Sequence, residues 1–373
     1  MSDKKFDDIN MSRDIYSSSK SKVPTEYEDI SSSSKKTTSK KKKRKRKNTA
    51  VKVLSILIVF LVISFVALYA YGYSIINNVQ KTPLDESDLG IETDVYSEVK
   101  NIALLGLDTR SDDMGGRSDA NIILTIDKKN KKIKLTSIAR DTYVDIEGKG
   151  KDKLTHAYAY GKSQLTVKTL NQNFGLEITD HATINFFELA RIIDYLGGVT
   201  IDVSNAEMKD LNNNIIPHTD FGDIPCKKIK SAGVQKLTGA QAVCYARIRH
   251  VDSDLGRGNR QKEVLTAMFD SAKKLNVLKL PEVAEMILSE CETSLTANDI
   301  ISLGTWAVTA SPEFEELSIP NSNTPSSGKT IKGVWYYVVD LEKAKQEIHD
   351  FIFEENYYSP EEVAKRENPQ SQE

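Results

Sequence analysis

The stretch KNIALLGLDTRSDDMGGRSDANIILTID, residues 100–127, is the part of the sequence that most clearly indicates the fold class. Its two apolar runs have the length of strands, and such runs are typical of a sheet that is covered on both faces. The loop between them carries Asp108, Arg110, Arg117 and Asp119. Open α/β sheets bind ligands at strand ends, so we expect these side chains to face a ligand. A solvated surface loop is the alternative interpretation.

The residue types in this loop indicate a particular chemistry. Two carboxylates that converge, here Asp108 and Asp119, suit a hard divalent cation. Guanidinium groups suit an oxyanion, because their planar fork matches phosphate in two places at once. A second pair, Arg140 and Asp141, directly follows another strand-like run. A phosphate-binding site at the strand ends is therefore one hypothesis, and a set of surface ion pairs is the other.

A third cluster, at residues 245–261, is richer in arginine than its surroundings. It supplies Arg247, Arg249, Arg257, Arg260 and Gln261. Residues two apart on a helix point about 200° from each other, so Arg247 and Arg249 share a face only if the helix ends there. Arg257 and Arg260, three apart, can share one.

Charge divides the chain into two unlike parts. Residues 1–52 hold 16 basic and 7 acidic side chains, against 35 and 46 in the remainder, so the net charges are +9 and −11. Residues 1–52 are rich in Ser, Lys, Asp and Thr and contain a basic run at 40–47, which predicts a disordered, basic cytoplasmic tail. An acidic remainder repels nucleic acid at long range, so we expect no nucleic-acid partner.

Residues 53–73 predict a transmembrane helix. They contain 21 residues with no charge and no proline, which is long enough to cross a bilayer. A cleaved signal peptide is a poor match, because the apolar core is too long and lies too far from Met1. The basic run precedes this segment, so the positive-inside rule predicts a signal-anchored, single-pass protein of the cell membrane. Its N-terminus would be cytoplasmic and the domain that follows the span extracellular.

Strand and helix patterns alternate beyond a polar stalk at residues 74–98. We expect strands at residues 101–107, 121–127, 132–138, 180–185, 199–203 and 332–340. We expect helices at residues 153–174 with an interruption near Gly161, and at 186–196, 238–249, 260–275, 281–290, 298–309 and 341–354. The alternation predicts an α/β or α+β domain over 99–355, with a central mixed β-sheet covered by helices, and a polar tail at 356–373.

The cysteines and histidines do not indicate a metal site. The chain has three cysteines, Cys226, Cys244 and Cys291, so at least one has no disulfide partner within the chain. We favour a role for them as small buried apolar residues over a Cys226–Cys244 disulfide. His156 lies on a predicted helix without a nearby ligand partner, and we interpret it as structural.

The motifs resemble, in order, those of the LytR–CpsA–Psr family of bacterial cell-wall proteins. They are GLDTR (106–110), RSD (117–119), SIARD (137–141), DKLTHAY (152–158), LGGV (196–199), LTGAQA (237–242), YARIR (245–249) and RGNRQ (257–261). Each motif is weak alone, and the series behind a membrane anchor is specific. One departure is Ala139, where the family usually has proline.

The resemblance implies a phosphotransferase that moves a glycopolymer from polyprenyl (undecaprenyl) pyrophosphate to the C6 hydroxyl of N-acetylmuramic acid in peptidoglycan. The polymer would be a teichoic acid or a capsular polysaccharide, and the partners would be the lipid-linked glycan, peptidoglycan and membrane lipid.

The resemblance also assigns roles to residues. The metal ligands for Mg²⁺, or Mn²⁺ in its place, would be Asp108 and Asp119. The catalytic residues would be these two with Arg117 and Arg140. Pyrophosphate would bind to Arg117, Arg140, Lys153, Arg247, Arg249, Arg257, Arg260 and Gln261. Asp108 is a candidate to accept the hydroxyl proton, although a metal-bound carboxylate is a poor base.

The lipid would need an apolar slot. Phe186, Phe187, Leu189 and Ile193 lie on one predicted helix face, where core packing is favoured over a lipid-lining role. Three other functions stay open: a transcriptional attenuator of envelope genes, a polyprenyl pyrophosphate hydrolase, and a non-catalytic polymer-binding protein.

Overall fold

The computed structural model describes residues 59–60, 63, 82–91, 99–108, 116–252, 254–274, 286, 289–354 and 357. Residues 1–64 and 65–373 form separate units, and the elements below belong to the second. Val59, Phe60 and Ile63 are helical and exposed, and the rest of the predicted membrane span at 53–73 lies outside the described residues. Within the described ranges, no helix has both the length and the apolar composition to cross a bilayer.

The strands, in chain order, are β1 (Val99–Leu107), β2 (Ser118–Asp127), β3 (Lys132–Ile138), β4 (Tyr143–Ile146), β5 (Gly150–Lys153), β6 (Ile178–Asn185), β7 (Val199–Val203), β8 (Gly233–Leu237), β9 (Glu292–Thr293), β10 (Glu313–Ile319), β11 (Ser326–Ile331) and β12 (Val334–Val339). The helices are α1 (Leu154–Phe174), α2 (Phe186–Tyr195), α3 (Asn205–Asp210), α4 (Gly239–Ala246), α5 (Asp254–Lys273), α6 (Ala297–Ala310) and α7 (Leu341–Ile352).

A mixed sheet of order β10-β3-β2-β1-β6-β9 forms the centre of the domain. Strands β1, β2 and β3 are antiparallel neighbours, as expected for runs joined by short loops. Strand β6 lies parallel to β1, and β10 lies parallel to β3. The predicted central mixed sheet covered by helices is confirmed.

The two faces of the sheet pack differently. Leu105 and Ile123 point to one face, where they join a buried cluster with Phe174 of α1 and Ile348 of α7. The opposite face carries a smaller cluster around Ile122 and Leu135, with side chains of α5 and α6 against it. Both faces are covered, which explains why β1 and β2 read as nearly continuous apolar runs.

The predicted interruption of the first helix is confirmed. Gly161 and Lys162 have non-helical backbone angles within α1, and Lys162 has a φ of 55°. The helix then continues to Phe174 and ends at Gly175, which adopts the left-handed conformation typical of a helix C-terminus.

Lys134 ties the end of the chain to the sheet. Its side chain is fully buried, and Nζ donates to the carbonyls of Phe351 and Ile352 at 2.9 and 3.0 Å. Glu354 accepts from the same Nζ at 3.0 Å. A cation at a helix C-terminus is favourable, so this contact helps to hold α7 against β3.

Other predicted boundaries differ from the structure. The helix expected at 238–249 ends at Ala246, and that expected at 260–275 begins already at Asp254. Strands β4, β5, β8, β9, β10 and β11 were not predicted. Most of the helix expected at 281–290 lies outside the described residues.

Candidate active site

Asp119 lies at a β-bulge at the end of the sheet where β1 ends and β2 begins. Gly106 pairs with Ala120 and Leu107 with Ser118, so Asp119 is an additional residue between two pairs. A bulge of this kind re-aims a side chain from the regular alternation of the strand. The Asp119 side chain is only 7 % exposed. The structure therefore places this carboxylate inside the domain at the edge of the sheet.

Asp108 lies at the same end of the sheet. It directly follows the last residue of β1, and its backbone amide donates to the carbonyl of Arg117 at 3.2 Å. Its carboxylate is 42 % exposed. The two predicted metal ligands therefore belong to neighbouring strands, with one buried and one open to solvent.

Three arginines from distant segments surround Asp119. Arg140, just after β3, places Nη1 2.8 Å from both carboxylate oxygens. Arg249, beyond the end of α4, places Nη2 3.2 Å from Oδ2. Arg257, in α5, donates from Nη2 to the Asp119 backbone carbonyl at 3.2 Å. Asp119 is therefore the point where three parts of the fold meet: the end of the sheet, helix α5, and the segment that follows α4.

A second carboxylate continues the cluster. Asp141 accepts from Arg140 Nε at 3.3 Å and from Lys153 Nζ at 2.7 Å. Lys153 is the last residue of β5 and immediately precedes α1. Asp141 was not among the predicted site residues, although its position beside Arg140 at a strand end was the signal that could have identified it.

Arg247 approaches Asp108 from the other side. Its Nη2 lies 3.8 Å from Asp108 Oδ1, and its Nη1 donates to Thr219 Oγ1 at 3.2 Å. The guanidinium group also lies 4.9 Å from the ring centroid of Phe186. Because α4 ends at Ala246, Arg247 and Arg249 are free of the helical spacing that would turn them apart. Thr219 was missed, since a lone threonine in a loop carries no sequence signal.

The cluster carries an excess of positive charge. Its basic members are Arg140, Lys153, Arg247, Arg249 and Arg257, and its carboxylates are Asp108, Asp119 and Asp141. Arg117 meets the cluster through its backbone carbonyl, which accepts from the Asp108 amide. The Arg117 side chain is exposed. Guanidinium groups remain charged at any physiological pH, so this site favours a multiply charged anion.

Arg260 is not part of the cluster. Its guanidinium group donates to Asp252 at 2.6 and 2.9 Å and to the Ile248 carbonyl at 3.2 Å, and it lies 3.4 Å from Glu207. The side chain is buried, and these contacts engage its two terminal nitrogens. Arg260 therefore braces the segment that carries Arg247 and Arg249, and these contacts do not include Asp108, Asp119 or Asp141.

Gln261 lines an apolar cavity beside the cluster. This front cavity has a volume of about 260 Å³ and lies between the sheet, α2 and α5, with Gly106, Ala120, Phe186 and Leu189 in its wall. A rear cavity of about 400 Å³ lies between the sheet and α6, lined by residues such as Ile126, Phe269 and Trp306. Leu104, Ala182, Leu265 and Cys291 line both cavities.

The predicted helix face divides between two roles. Phe186 and Leu189 line the front cavity, whereas Ile193 is fully buried in the core. Phe187 packs edge-to-face on Phe221, with ring centroids 5.9 Å apart. Phe186 and Leu189 also pack against the buried cluster that contains Ile193, so the core packing expected for all four residues is present, and these two line the cavity in addition. The sequence could not distinguish core packing from cavity lining, because apolar side chains at the same helical spacing are expected in both.

The thiols of Cys226 and Cys244 lie 3.8 Å apart, within hydrogen-bond distance for sulfur, and form no disulfide. Burial raises the pKa of Cys291 to about 12, with Glu188 and Glu290 acting in the same direction. Within the described ranges, no group of three or more His, Cys, Asp and Glu side chains forms a metal-binding cluster. A metal site built from Asp108 and Asp119 would therefore need further ligands from a bound substrate or water.

Comparison with known proteins adds a family to this geometry. A family model described as the LytR_cpsA_psr family matches residues 64–350. Polyisoprenyl-teichoic acid–peptidoglycan teichoic acid transferase TagT of Bacillus subtilis strain 168 is 30 % identical over 308 residues, which cover 79 % of this chain and 91 % of TagT. The transferase TagU of Bacillus mycoides is 33 % identical over 292 residues, covering 74 % and 89 %.

Solved structures show the same similarity. TagT bound to LIIa-WTA superposes with a TM-score of 0.60 at 27 % identity, covering 73 % of this chain and 99 % of that one. YwtF (TagT) with bound octaprenyl pyrophosphate lipid has a TM-score of 0.56 at 26 % identity, with the same coverage. Sequence and fold thus agree over the segment that builds both the charged cluster and the cavities, and the chain belongs to the LytR–CpsA–Psr family.

Proposed function

We propose that this chain is a membrane-anchored phosphotransferase that moves a teichoic acid or capsular glycopolymer from a polyprenyl pyrophosphate carrier to peptidoglycan. The observation that carries the proposal is the position of Phe186. Its ring contacts the guanidinium group of Arg247 and also lines the front cavity. A polyprenyl pyrophosphate needs cations for its head and an apolar space for its tail, and the two environments meet at this residue.

The relatives support this proposal. TagT and TagU are named as transferases of teichoic acid to peptidoglycan, and one related structure holds octaprenyl pyrophosphate. For this chain we propose the C6 hydroxyl of N-acetylmuramic acid as the acceptor and an undecaprenyl chain as the carrier. The front and rear cavities share wall residues, which suits an extended apolar chain.

The transfer would be a displacement at phosphorus. The acceptor hydroxyl oxygen forms a bond to the phosphorus that carries the polymer, and the bond from that phosphorus to the bridging oxygen breaks. The products are a phosphodiester and polyprenyl phosphate. Arg140 and Arg249 would neutralise the charge that repels the incoming oxygen, since phosphoryl transfer depends on positioning and electrostatics. The hydroxyl proton would pass to a carboxylate of the cluster, of which Asp108 is the more exposed.

Asp108 and Asp119 are also the residues that would hold Mg²⁺, or Mn²⁺ in its place. The donor set fits, because two carboxylates at neighbouring strand ends suit a hard cation and Asp108 is open to solvent. Asp119 would share its oxygens with Arg140. When bound, the ion would offset negative charge on the diphosphate.

We also propose that residues 53–73 anchor the chain in the cell membrane, with residues 1–52 in the cytoplasm and the transferase domain outside. The apolar segment and the basic run before it support this orientation. A membrane-impermeant maleimide applied to intact cells should label Asp202→Cys and leave Ser34→Cys unlabelled, when both are made in a chain whose three free cysteines, Cys226, Cys244 and Cys291, are replaced by serine. The reverse labelling would contradict the orientation.

Asp119→Ala in the full-length chain tests the reaction. We expect transfer from a polyprenyl pyrophosphate-linked polymer to peptidoglycan to fall by about 10²–10³-fold, because Asp119 orders three arginines around the reacting phosphate. Transfer would be measured with a radiolabelled donor as label bound to insoluble peptidoglycan. Asp202→Ala removes an exposed aspartate on β7 and should retain wild-type transfer.

Four outcomes would redirect the proposal. Wild-type transfer by Asp119→Ala, with its fold verified by thermal denaturation, would remove this carboxylate from the site. Release of free polymer without attachment to peptidoglycan would favour the hydrolase. Donor binding without release or transfer would favour a non-catalytic polymer-binding protein, and retention of DNA by residues 1–52 at physiological salt would support the attenuator.

A further inference from the structure

Asp152 is a hydrogen-bond centre that the proposed transfer step does not use. Its carboxylate accepts from the phenols of Tyr160 at 2.8 Å and Tyr336 at 3.3 Å. The Lys153 amide donates to it at 2.8 Å, and His156 Nδ1 lies 2.8 Å from it. Burial alone would raise the pKa of Asp152, but the hydrogen bonds from His156, Lys153 and Tyr160 outweigh burial and lower this pKa. The carboxylate is therefore held in its charged form.

Two tyrosine hydroxyls bond this carboxylate, and a third tyrosine ring packs against one of those two rings. Tyr143 lies on β4, Tyr160 on α1 and Tyr336 on β12. The rings of Tyr143 and Tyr336 are tilted against each other with centroids 4.7 Å apart. Tyr160 is 46 % exposed although its hydroxyl is bonded. The Tyr160 ring is thus fixed at its hydroxyl and about half exposed, and the His156 ring lies edge-on to it with centroids 6.1 Å apart.

A lysine lies near each ring. Lys149 Nζ is 5.4 Å from the Tyr160 centroid, and Lys151 Nζ is 6.0 Å from the Tyr143 centroid. Lys153 Nζ is 5.8 Å from the Tyr336 centroid. Lys149 and Lys151 are exposed, so their ammonium groups can move onto a ligand at little cost.

This tyrosine–Asp152 platform borders the arginine cluster. Lys153 bonds Asp141, and the Tyr337 amide donates to the Asp141 carbonyl at 2.9 Å, which clamps β12 beside the cluster. The hydrogen bond to Asp152 raises the pKa of Tyr160, and the positive charge of Arg117 acts on Tyr160 in the opposite direction. A molecule on the platform would therefore lie next to the proposed reacting phosphate.

The combination of groups selects a class of ligand. Tyrosine faces carry negative charge density that attracts the weakly positive C–H face of a pyranose. A fixed carboxylate and an imidazole can exchange hydrogen bonds with sugar hydroxyl and amide groups. The exposed lysines suit a carboxylate substituent. The carboxylate at the centre disfavours both a nucleic-acid backbone and a lipid tail.

We propose that Asp152, Tyr143, Tyr160 and Tyr336 form an acceptor subsite for a carboxylate-bearing amino sugar of the peptidoglycan strand. This inference rests on the proposed function, since it assigns the acceptor side of the same reaction. The sugar ring stacks on Tyr160, its polar substituents bond Asp152 and His156, and a carboxylate of its lactyl or stem-peptide substituent pairs with Lys149 or Lys151. The platform thereby orients a neighbouring hydroxyl toward the arginine cluster.

Calorimetric titration tests the subsite in the full-length chain, in micelles saturated with octaprenyl pyrophosphate. The probe is the disaccharide of N-acetylglucosamine and N-acetylmuramic acid. We expect Asp152→Asn and Tyr160→Ala each to weaken its binding by at least about tenfold, and Tyr160→Phe to lie between Tyr160→Ala and wild type because it retains the ring. N,N′-diacetylchitobiose, which has no carboxylate, should bind the wild type more weakly than the probe.

Trp335→Ala is the matched control. Trp335 is a 42 % exposed aromatic residue on β12, and alternation along the strand places its side chain on the face opposite Tyr336. We expect this variant to bind the disaccharide within about twofold of wild type. A loss in Trp335→Ala equal to that in Tyr160→Ala, or unchanged binding in Asp152→Asn, would overturn the assignment.

Donor binding separates this inference from the proposed function. Octaprenyl pyrophosphate should bind the wild type and all four variants equally, because the arginine cluster and the cavities are unchanged in them. Intact donor binding without disaccharide binding by the wild type would overturn the subsite alone. Absence of donor binding by the wild type would contradict the proposed function itself. A variant that loses affinity for a sugar-bearing donor instead would assign the platform to the donor glycan and overturn the acceptor assignment.

Discussion

Asp119 connects three arginines that lie far apart in the sequence, and it does so from a buried position. Its carboxylate and carbonyl contact Arg140, Arg249 and Arg257. Buried charges cost free energy unless they are paired, so the arginines and the aspartate depend on each other in the absence of ligand. An incoming pyrophosphate would take over part of this pairing, which links substrate binding to the order of the cluster.

His181 predicts a pH dependence of stability. It is fully buried on β6, with Nε2 bonded to the Thr82 carbonyl at 3.0 Å and Nδ1 near Thr183 Oγ1 at 3.0 Å. Burial lowers the pKa of His181 below its usual value of 6.5, against smaller opposing effects of the Thr82 hydrogen bond and the Asp180 charge. The unfolded chain therefore binds this proton more readily, and stability present above pH 6.5 is lost as the pH falls.

Urea unfolding of wild type and His181→Gln at several pH values measures this effect. We expect the wild-type midpoint to fall more steeply below pH 6.5 than that of the variant. His218→Gln, at an exposed histidine, should follow the wild-type curve. Parallel curves for wild type and His181→Gln would contradict the prediction.

The sequence predicted most residues of the cluster, because they lie at strand ends and helix ends where side chains converge. It could not separate Arg257 from Arg260. The two are three apart on α5, yet Arg257 bonds Asp119 whereas Arg260 bonds Asp252 and the Ile248 carbonyl. The distinction depends on where the 247–252 segment folds back, and residue spacing on one helix does not contain that information.

At the scale of elements, the close approach of α2 and α4 depends on Gly239. A Cβ atom at this position would lie 1.9 Å from the Ala190 carbonyl oxygen and 2.6 Å from its carbon. The Gly239 amide also donates to Asp194 at 2.7 Å. We expect Gly239→Ala to lower the free energy of unfolding by about 1–3 kcal/mol, because backbone cannot move aside without displacing a helix.

Gly304→Ala provides the comparison for Gly239→Ala. Gly304 lies within α6, and an added Cβ would meet no atom within 4 Å. The same change there should raise the free energy of unfolding by about 0.5–1 kcal/mol, because alanine loses less conformational freedom in a helix. Denaturant unfolding of both variants measures the difference, and equal effects at the two positions would contradict the packing argument.

Elements were predictable where one pattern dominated the segment. Strands β1 and β2 are nearly continuous apolar runs with clear ends, and helix α2 repeats its apolar residues at helical spacing. Strand β10, with the sequence EFEELSI, was missed because the adjacent Glu315 and Glu316 break the alternation of polar and apolar residues that marks a half-buried strand. It gains its strand structure by pairing with β3, which is a tertiary effect. Hairpin β4–β5 was missed because its four-residue strands are too short to show a period.

At the scale of the whole molecule, the two apolar cavities should act as one space for a long prenyl chain. Ala182 lines both of them from β6. Ala182→Phe should narrow their junction and weaken octaprenyl pyrophosphate binding by at least about tenfold. Geranyl pyrophosphate, which has a much shorter tail, should retain wild-type affinity. Competition binding with the two lipids measures both values.

Ala206→Phe, an exposed position on α3, is the control for added aromatic bulk. It should leave the binding of both lipids unchanged. Equal losses for the long and the short lipid in Ala182→Phe would mean that the rear cavity does not receive the tail. Thermal denaturation of Ala182→Phe would identify a loss that results from unfolding.

The mixed sheet and its helical cover were predictable from alternation along the chain, but the cavities were not. A cavity is a volume that side chains leave unfilled, and Leu104 or Leu265 would read the same in a filled core. Apolar periodicity shows which residues avoid water and does not show how closely they pack.

The parallel pairing of β10 with β3 has a consequence for biosynthesis. Until residues 313–319 have been made, β3 presents a row of unsatisfied amides and carbonyls along its outer side. A ribosome that stalls earlier, or a protease that clips the chain before residue 313, would release a fragment able to recruit foreign strands there. Synthesis of residues 313–319 therefore allows β10 to pair with β3 and removes this exposed strand edge from the folding protein.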